Sequence, residues 1–147
     1  MAKTEWLAVE PMASACREAR EWAAHFETLQ AAWDACERGD WMLWYLWRTQ
    51  AGEPWSDERR PLVWAAAQCA RLAPRPYLST IVVIERWALE HGDGRPTSAD
   101  VRAAAADADA DADADAAARY DTLRKCAALV RRLWPDPTQP AVFPPKE

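Results

Sequence analysis

Ala103-Ala104-Ala105-Ala106-Asp107-Ala108-Asp109-Ala110-Asp111-Ala112-Asp113-Ala114-Asp115-Ala116-Ala117-Ala118 uses two residue types, with an aspartate at every second position from 107 to 115. A period of two is the signature of a half-buried strand. The residue types point the other way, because alanine and aspartate are both depleted in strands and alanine is the best helix former. Just upstream, Pro96 precedes Thr97-Ser98-Ala99-Asp100, a capping-box pattern of the form T-x-x-D. The reading is therefore one long helix from about Ser98 to Trp134, and the fold class follows as all-α. At about 100° per residue, Asp107, Asp111 and Asp115 fall within roughly 80° of one another. Asp109 and Asp113 form a second stripe. Between the stripes runs a small-residue seam of Val101, Ala105, Ala108, Ala112 and Ala116, continuing into Leu123, Cys126 and Val130.

Working outward, proline and glycine divide the rest of the chain into helical blocks. Met12–Phe26 carries Cys16, Ala19, Trp22, Ala23 and Phe26 at spacings of three and four, an amphipathic pattern. Leu29–Arg38 repeats it with Leu29, Ala32, Trp33 and Cys36. Gly39 is expected to end that helix and Asp40 to cap the next. Trp41–Trp47 is apolar all round, which predicts the central buried helix, with Trp44 in the core. Asp57–Ala73 forms a fourth helix with Leu62, Val63, Ala66, Cys69, Ala70 and Leu72 inward. Tyr77–His91 forms a fifth, with a strand at Leu78–Ile84 as the competing reading of Ile81-Val82-Val83-Ile84. The sum is one all-α domain of about six helices over residues 1–134, followed by a Pro-rich tail at 135–147 expected to be extended.

Charge narrows the function. Residues 98–118 hold six acids and one base, a net of −5, and the whole chain is also −5. Everything else sums to zero. Five charges over eight residue steps is one per about 2.4 Å of helix axis, near the duplex value of about 1.7 Å. Such a field attracts cationic surfaces and repels nucleic acid and anionic membrane. The like-charge pairs Asp107/Asp111, Asp111/Asp115 and Asp109/Asp113 each cost roughly 0.2–0.5 kcal/mol. A plain solvated face is the alternative reading of the segment. The basic residues, among them Arg59-Arg60, Arg71, Arg75, Arg86, Arg119, Arg124-Lys125 and Arg131-Arg132, are interleaved with acids and do not form a nucleic-acid footprint.

Other classes lose support. There is no apolar run of 18 residues and no signal-peptide pattern, so the expectation is a cytoplasmic protein that binds no membrane. Cys16, Cys36, Cys69 and Cys126 lie far apart without a C-x-x-C, and with two histidines there is no metal-ligand spacing. Four buried, reduced thiols are expected, with no metal and no cofactor. No phosphate-binding, zinc-protease or hydrolase motif occurs. The nearest nucleophile–base candidate, Cys16 with His25, would fall on opposite sides of one helix. No catalytic residues are assigned. Trp41, Trp44 and Trp47 read as core, whereas Trp55, beside Pro54 in a polar loop, reads as an exposed anchor.

Ala15-Cys16-Arg17-Glu18-Ala19-Arg20-Glu21-Trp22, then Ala32-Trp33-Asp34-Ala35-Cys36 and Gly39-Asp40-Trp41-Met42-Leu43-Trp44, resemble the all-helical immunity proteins of bacterial toxin systems, a family with phage-borne members. The resemblance continues through Cys69-Ala70-Arg71, Arg86-Trp87-Ala88 and Leu123-Arg124-Lys125-Cys126-Ala127, up to Trp134. It implies a helical, non-enzymatic protein that binds and neutralises another protein. Where such proteins alternate alanine with tyrosine and occasional aspartate, this chain has an uninterrupted Ala-Asp ladder. The departure favours a target with a cationic, nucleic-acid-binding groove. The sequence thus reads as an inhibitor that mimics DNA, of anti-CRISPR or anti-restriction type, with Asp100, Asp107, Asp109, Asp111, Asp113, Asp115 and Trp55 as the partner-binding residues. An immunity protein for a cognate toxin is the first alternative. A structural helical domain with a solvated acidic face is the second.

Overall fold

The computed structural model describes residues 5–50, 56–72, 78–90 and 116–143. Six α-helices occur among them: α1 (Arg17–Ala23), α2 (Leu29–Ala35), α3 (Gly39–Thr49), α4 (Arg60–Arg71), α5 (Leu78–Glu90) and α6 (Ala116–Leu133). Short 3-10 turns lie at Glu5–Leu7, Met12–Ser14 and Asp57–Arg59, and there is no strand among the described residues. The all-α expectation is met. The β-branched run Ile81-Val82-Val83-Ile84 lies within α5, so the competing strand is ruled out.

Helix α4 is the hub. Its Leu62 and Ala65 join Trp33, Met42, Leu46, Cys126, Val130, Leu133 and Trp134 in the main core. On its other flank Val63 and Ala67 pack with Ile81, Ile84, Trp87 and Ala88 of α5. Alanine on both flanks lets two neighbours approach one helix closely, which is why α4 is buried from two directions. Residues Ala66 and Leu72, expected inward, are exposed. The centre was expected instead at Trp41–Trp47. In α3 only Gly39, Met42 and Leu46 are fully buried, at helical spacings of three and four. Trp44 is half-buried and Trp47 is 49% exposed, so the all-apolar segment is not the central helix. Guanidinium groups account for the difference. Arg38 lies 4.3 Å from the Trp41 ring, Arg48 4.9 Å from Trp44 and Arg59 5.0 Å from Trp47. An indole under a guanidinium is stable at the rim of a domain.

The close approach of α3 to α6 depends on Gly39. A Cβ there would lie 2.4 Å from Cys126 Sγ, 2.5 Å from Cys126 Cβ and 2.8 Å from the backbone nitrogen of Ala127. Gly39 is therefore the first residue of α3 and not the stop of α2, which ends at Ala35. Asp40, expected as a cap, makes no cap hydrogen bond and is instead gripped by Arg38, Nε to Oδ1 at 2.9 Å and Nη2 to Oδ2 at 2.8 Å. Helix α2 is capped at both ends by other groups. The Thr28 hydroxyl accepts from the Ala31 amide at 3.1 Å. From α6, Arg131 donates to the carbonyls of Trp33, at 3.3 Å, and of Cys36. The Trp33 carbonyl also accepts from the Cys36 amide at 3.3 Å, so there Arg131 adds a second donor at the helix end.

Cross-links between the ends of the chain complete the packing. The Trp33 indole N–H donates to the Trp134 carbonyl at 2.7 Å, and the Gln30 amide to the Pro135 carbonyl at 2.9 Å. Beyond α6 the chain turns at Asp136, whose carboxylate accepts from the Thr138 amide and hydroxyl. It then runs back so that the Val142 amide donates to the Leu133 carbonyl at 2.8 Å. Pro137 is fully buried and Phe143 meets Trp64 edge-on at 6.1 Å.

The expected Met12–Phe26 helix is two pieces, because Ala15 and Cys16 take extended backbone between the 3-10 turn and α1. The apolar spacing survives the break, since Ala19 and Ala23 still face the core. Cysteine pairing also differs from the expectation of four buried thiols. Cys69 on α4 and Cys126 on α6 are joined as a disulfide, Cys16 is exposed and Cys36 is buried. The two bonded residues are 57 positions apart, and only the packing of α4 on α6 brings them together.

Gly39→Ala is expected to destabilise the fold by about 1–3 kcal/mol through overpacking, net of the roughly 1 kcal/mol that alanine's helix propensity returns. A urea midpoint equal to that of the parent would contradict the close approach. In the same assay Trp33→Ala should cost about 3–5 kcal/mol and the half-buried Trp44→Ala about 1–2 kcal/mol. Equal losses at the two positions would contradict this ranking.

Candidate binding surfaces

The partner-binding residues expected from sequence, Asp100, Asp107, Asp109, Asp111, Asp113, Asp115 and Trp55, lie outside the described residues. What the structure gives is their surroundings. The described residues contain 13 bases and 14 acids, so the body is close to neutral. Many of those bases are engaged within the fold. Arg60 is buried, pairs with Asp57 at 2.7 Å, donates to the Trp87 carbonyl and stacks on the Trp87 ring. Arg71 pairs with Glu85, which also accepts from Gln68. Arg124 and Lys125 both hold Asp121, at 2.6 and 2.9 Å, and these contacts keep its carboxyl below the usual carboxylate range. Arg131 is spent on the end of α2. The interleaving of bases with acids seen in the sequence corresponds, in the structure, to internal pairs.

A second feature was not foreseen. The N-terminal turns, α1, α2 and α3 border a half-open cavity of about 260 Å³, walled in large part by Trp6, Trp22, Trp33, Trp41, Trp44 and Tyr45. Asp40 is the one formally charged residue among its walls, and Cys16 and Cys36 also line it. Trp22 stands 4.8 Å from Phe26 and 5.8 Å from Trp41, ring centre to ring centre, in tilted arrangements. Trp33 stands 6.2 Å from Tyr45. Two of the indole N–H groups are spent internally, Trp33 on Trp134 and Trp6 on the Phe26 carbonyl at 3.3 Å. Burial raises the Tyr45 hydroxyl further above an ordinary pKa that already leaves it a neutral O–H at physiological pH. The sequence carries a signal for the surface placement of two of these indoles, though not for the cavity. Arg38 precedes Trp41 by three and Arg48 follows Trp44 by four, spacings that stack a guanidinium on each ring and hold the indoles at a surface.

The candidate pair Cys16 and His25 is not brought together. Cys16 precedes α1, His25 follows it, and the helix separates them. No group of three or more metal-binding side chains occurs among the described residues, and no described helix is long and apolar enough to cross a membrane. No protein-family model, curated protein or solved structure matches this chain.

The two free thiols differ in accessibility. Burial pushes the Cys36 thiol above its ordinary pKa, and its Sγ lies 3.5 Å from the Arg38 carbonyl. Iodoacetamide acts on thiolates, so native protein near neutral pH should be alkylated at the exposed Cys16 and spared at Cys36. Peptide mass mapping checks this. Equal labelling of the two before unfolding would contradict the burial of Cys36.

Proposed function

We propose that this protein is a non-enzymatic inhibitor that presents the acidic segment 98–118 to a cationic, nucleic-acid-binding surface of another protein. The observation that carries the reading is charge segregation. The whole net charge of −5 falls in one 21-residue segment, and the described body is near neutral with many of its bases paired internally. A body of that kind adds little field of its own, so approach of a partner is steered by the segment. On a helix the aspartates would recur at a spacing near that of duplex phosphates, which favours a DNA-binding nuclease or defence complex of the kind met by anti-CRISPR and anti-restriction proteins. Asp100, Asp107, Asp109, Asp111, Asp113 and Asp115 are the proposed contacts, with Trp55 as a further anchor. Such targets act in the bacterial cytoplasm, and we place the protein there. Of the bonded pair, Cys126 is 3% exposed and Cys69 is partly buried, which leaves attack by a small thiol to the Cys69 sulfur.

A second reading has an observation of its own. Trp47 is half exposed beneath Arg59, next to Trp44 beneath Arg48. Tryptophan and arginine dominate the energetic centres of protein interfaces. This surface favours a toxin-neutralising immunity protein that grips its partner through α3.

One experiment separates them. The protein is immobilised and exposed to a bacterial lysate, beside the variant with Asp107, Asp109, Asp111, Asp113 and Asp115 all changed to Asn and a variant with residues 103–118 permuted at constant composition. The mimic reading expects basic nucleic-acid-binding proteins on the parent, released by duplex oligonucleotide, with at least tenfold less on both variants. Equal capture by the permuted variant would show plain ion exchange. Capture that persists in the Asn variant and disappears in Trp47→Ala would favour immunity.

A further inference from the structure

We propose that the aromatic cavity between α1, α2 and α3 is a binding site for a neutral, planar aromatic molecule of about two fused rings that carries a hydrogen-bond acceptor. Four properties of the walls select this class. Size comes first: an apolar cavity of about 150 Å³ accepts one benzene ring, and this one measures about 260 Å³. Shape comes next. Five indoles and one phenol wall the space, and flat rings gain most from offset or edge contacts with such surfaces.

Charge then excludes two alternatives. An anion would enter beside Asp40 with no unpaired base among the walls. For a cation, an aromatic box with a carboxylate would ordinarily be a good host. Here Arg38 already occupies that role, lying 4.3 Å from the Trp41 ring and holding both Asp40 oxygens. The host charge is neutralised before a ligand arrives, and a neutral guest is what remains. Finally, the polar groups left over are donors. The Tyr45 hydroxyl and the Trp22, Trp41 and Trp44 indole N–H groups make no hydrogen bond among the described residues and keep accessible surface, and a phenol is protonated near neutral pH. A ring nitrogen or carbonyl oxygen on the guest would complement them. The site is independent of the acidic segment and stands or falls separately from the inhibitor reading.

The test is an amide-resolved NMR titration of the full chain with four probes. They are quinoline, a neutral bicycle with an acceptor; N-methylquinolinium, its cation; 2-naphthoate, an anion of like size; and octanol, an aliphatic of similar bulk. Quinoline is expected to bind saturably, with shifts concentrated at residues 12–45, at least tenfold more tightly than the other three. Ala15→Phe, which projects a ring into the space from a partly exposed wall position, should weaken quinoline at least tenfold. If that variant does not fold, the shift map of the parent decides alone. No saturable quinoline shifts, shifts centred elsewhere, charged probes within threefold, or octanol as the tightest binder would each overturn the proposal.

Discussion

The contact that the rest of the structure depends on is the one between the first turn of α3 and the middle of α6. Gly39 sits so close to Cys126 and Ala127 that no Cβ fits between them. At that distance Met42 and Leu46 share one core with Val130 and Leu133, and α4 closes the third side with Leu62 and Ala65. The same approach sets Arg131 over the end of α2 and Trp33 under the Trp134 carbonyl. Widening it by one methyl would loosen each of these together, because they share α6 as a common wall. Packed cores respond to such changes as a whole and not locally.

With the core settled in this way, the surface divides its tasks. Buried or stacked arginines serve the fold: Arg60 under α5, Arg131 at α2, and Arg38, Arg48 and Arg59 on the indoles of α3. Exposed pairs such as Arg17–Glu21 contribute little, as solvent-facing ion pairs do. The acidity is left to one segment. In physical terms the body is a near-neutral carrier and the segment 98–118 is the charge it carries.

Much of the fold was legible because helix periodicity and breakers are local signals. The competing strand at Leu78–Ile84 gives way to α5, in which Glu85-Arg86-Trp87-Ala88-Leu89 continues the helix past the β-branched run. What failed was non-local. An all-apolar segment was read as the centre, but burial depends on which neighbours exist, and α4 with its two alanine-bearing flanks has more of them than α3. Gly39 was read as a stop, since glycine ends helices more often than it lets two of them touch. The Cys69–Cys126 bond was missed because its partners meet only through packing. The charge segregation was wholly readable from sequence. The aromatic cavity was not, because its walls come from five separate elements between residues 6 and 45.

The central claim is that the acidic segment serves a partner and that the fold makes no use of its charge. The most direct measurement is thermal unfolding of the parent and of the five-fold variant Asp107→Asn, Asp109→Asn, Asp111→Asn, Asp113→Asn and Asp115→Asn, followed by near-ultraviolet circular dichroism of the tryptophans. If the charge is held for a partner, removing it takes away only mutual repulsion, and the midpoint should stay within about 2 °C of the parent or rise. A fall of more than about 5 °C, equivalent to roughly 1 kcal/mol or more in a chain of this size, would show that the aspartates are held by the fold itself and would contradict the account.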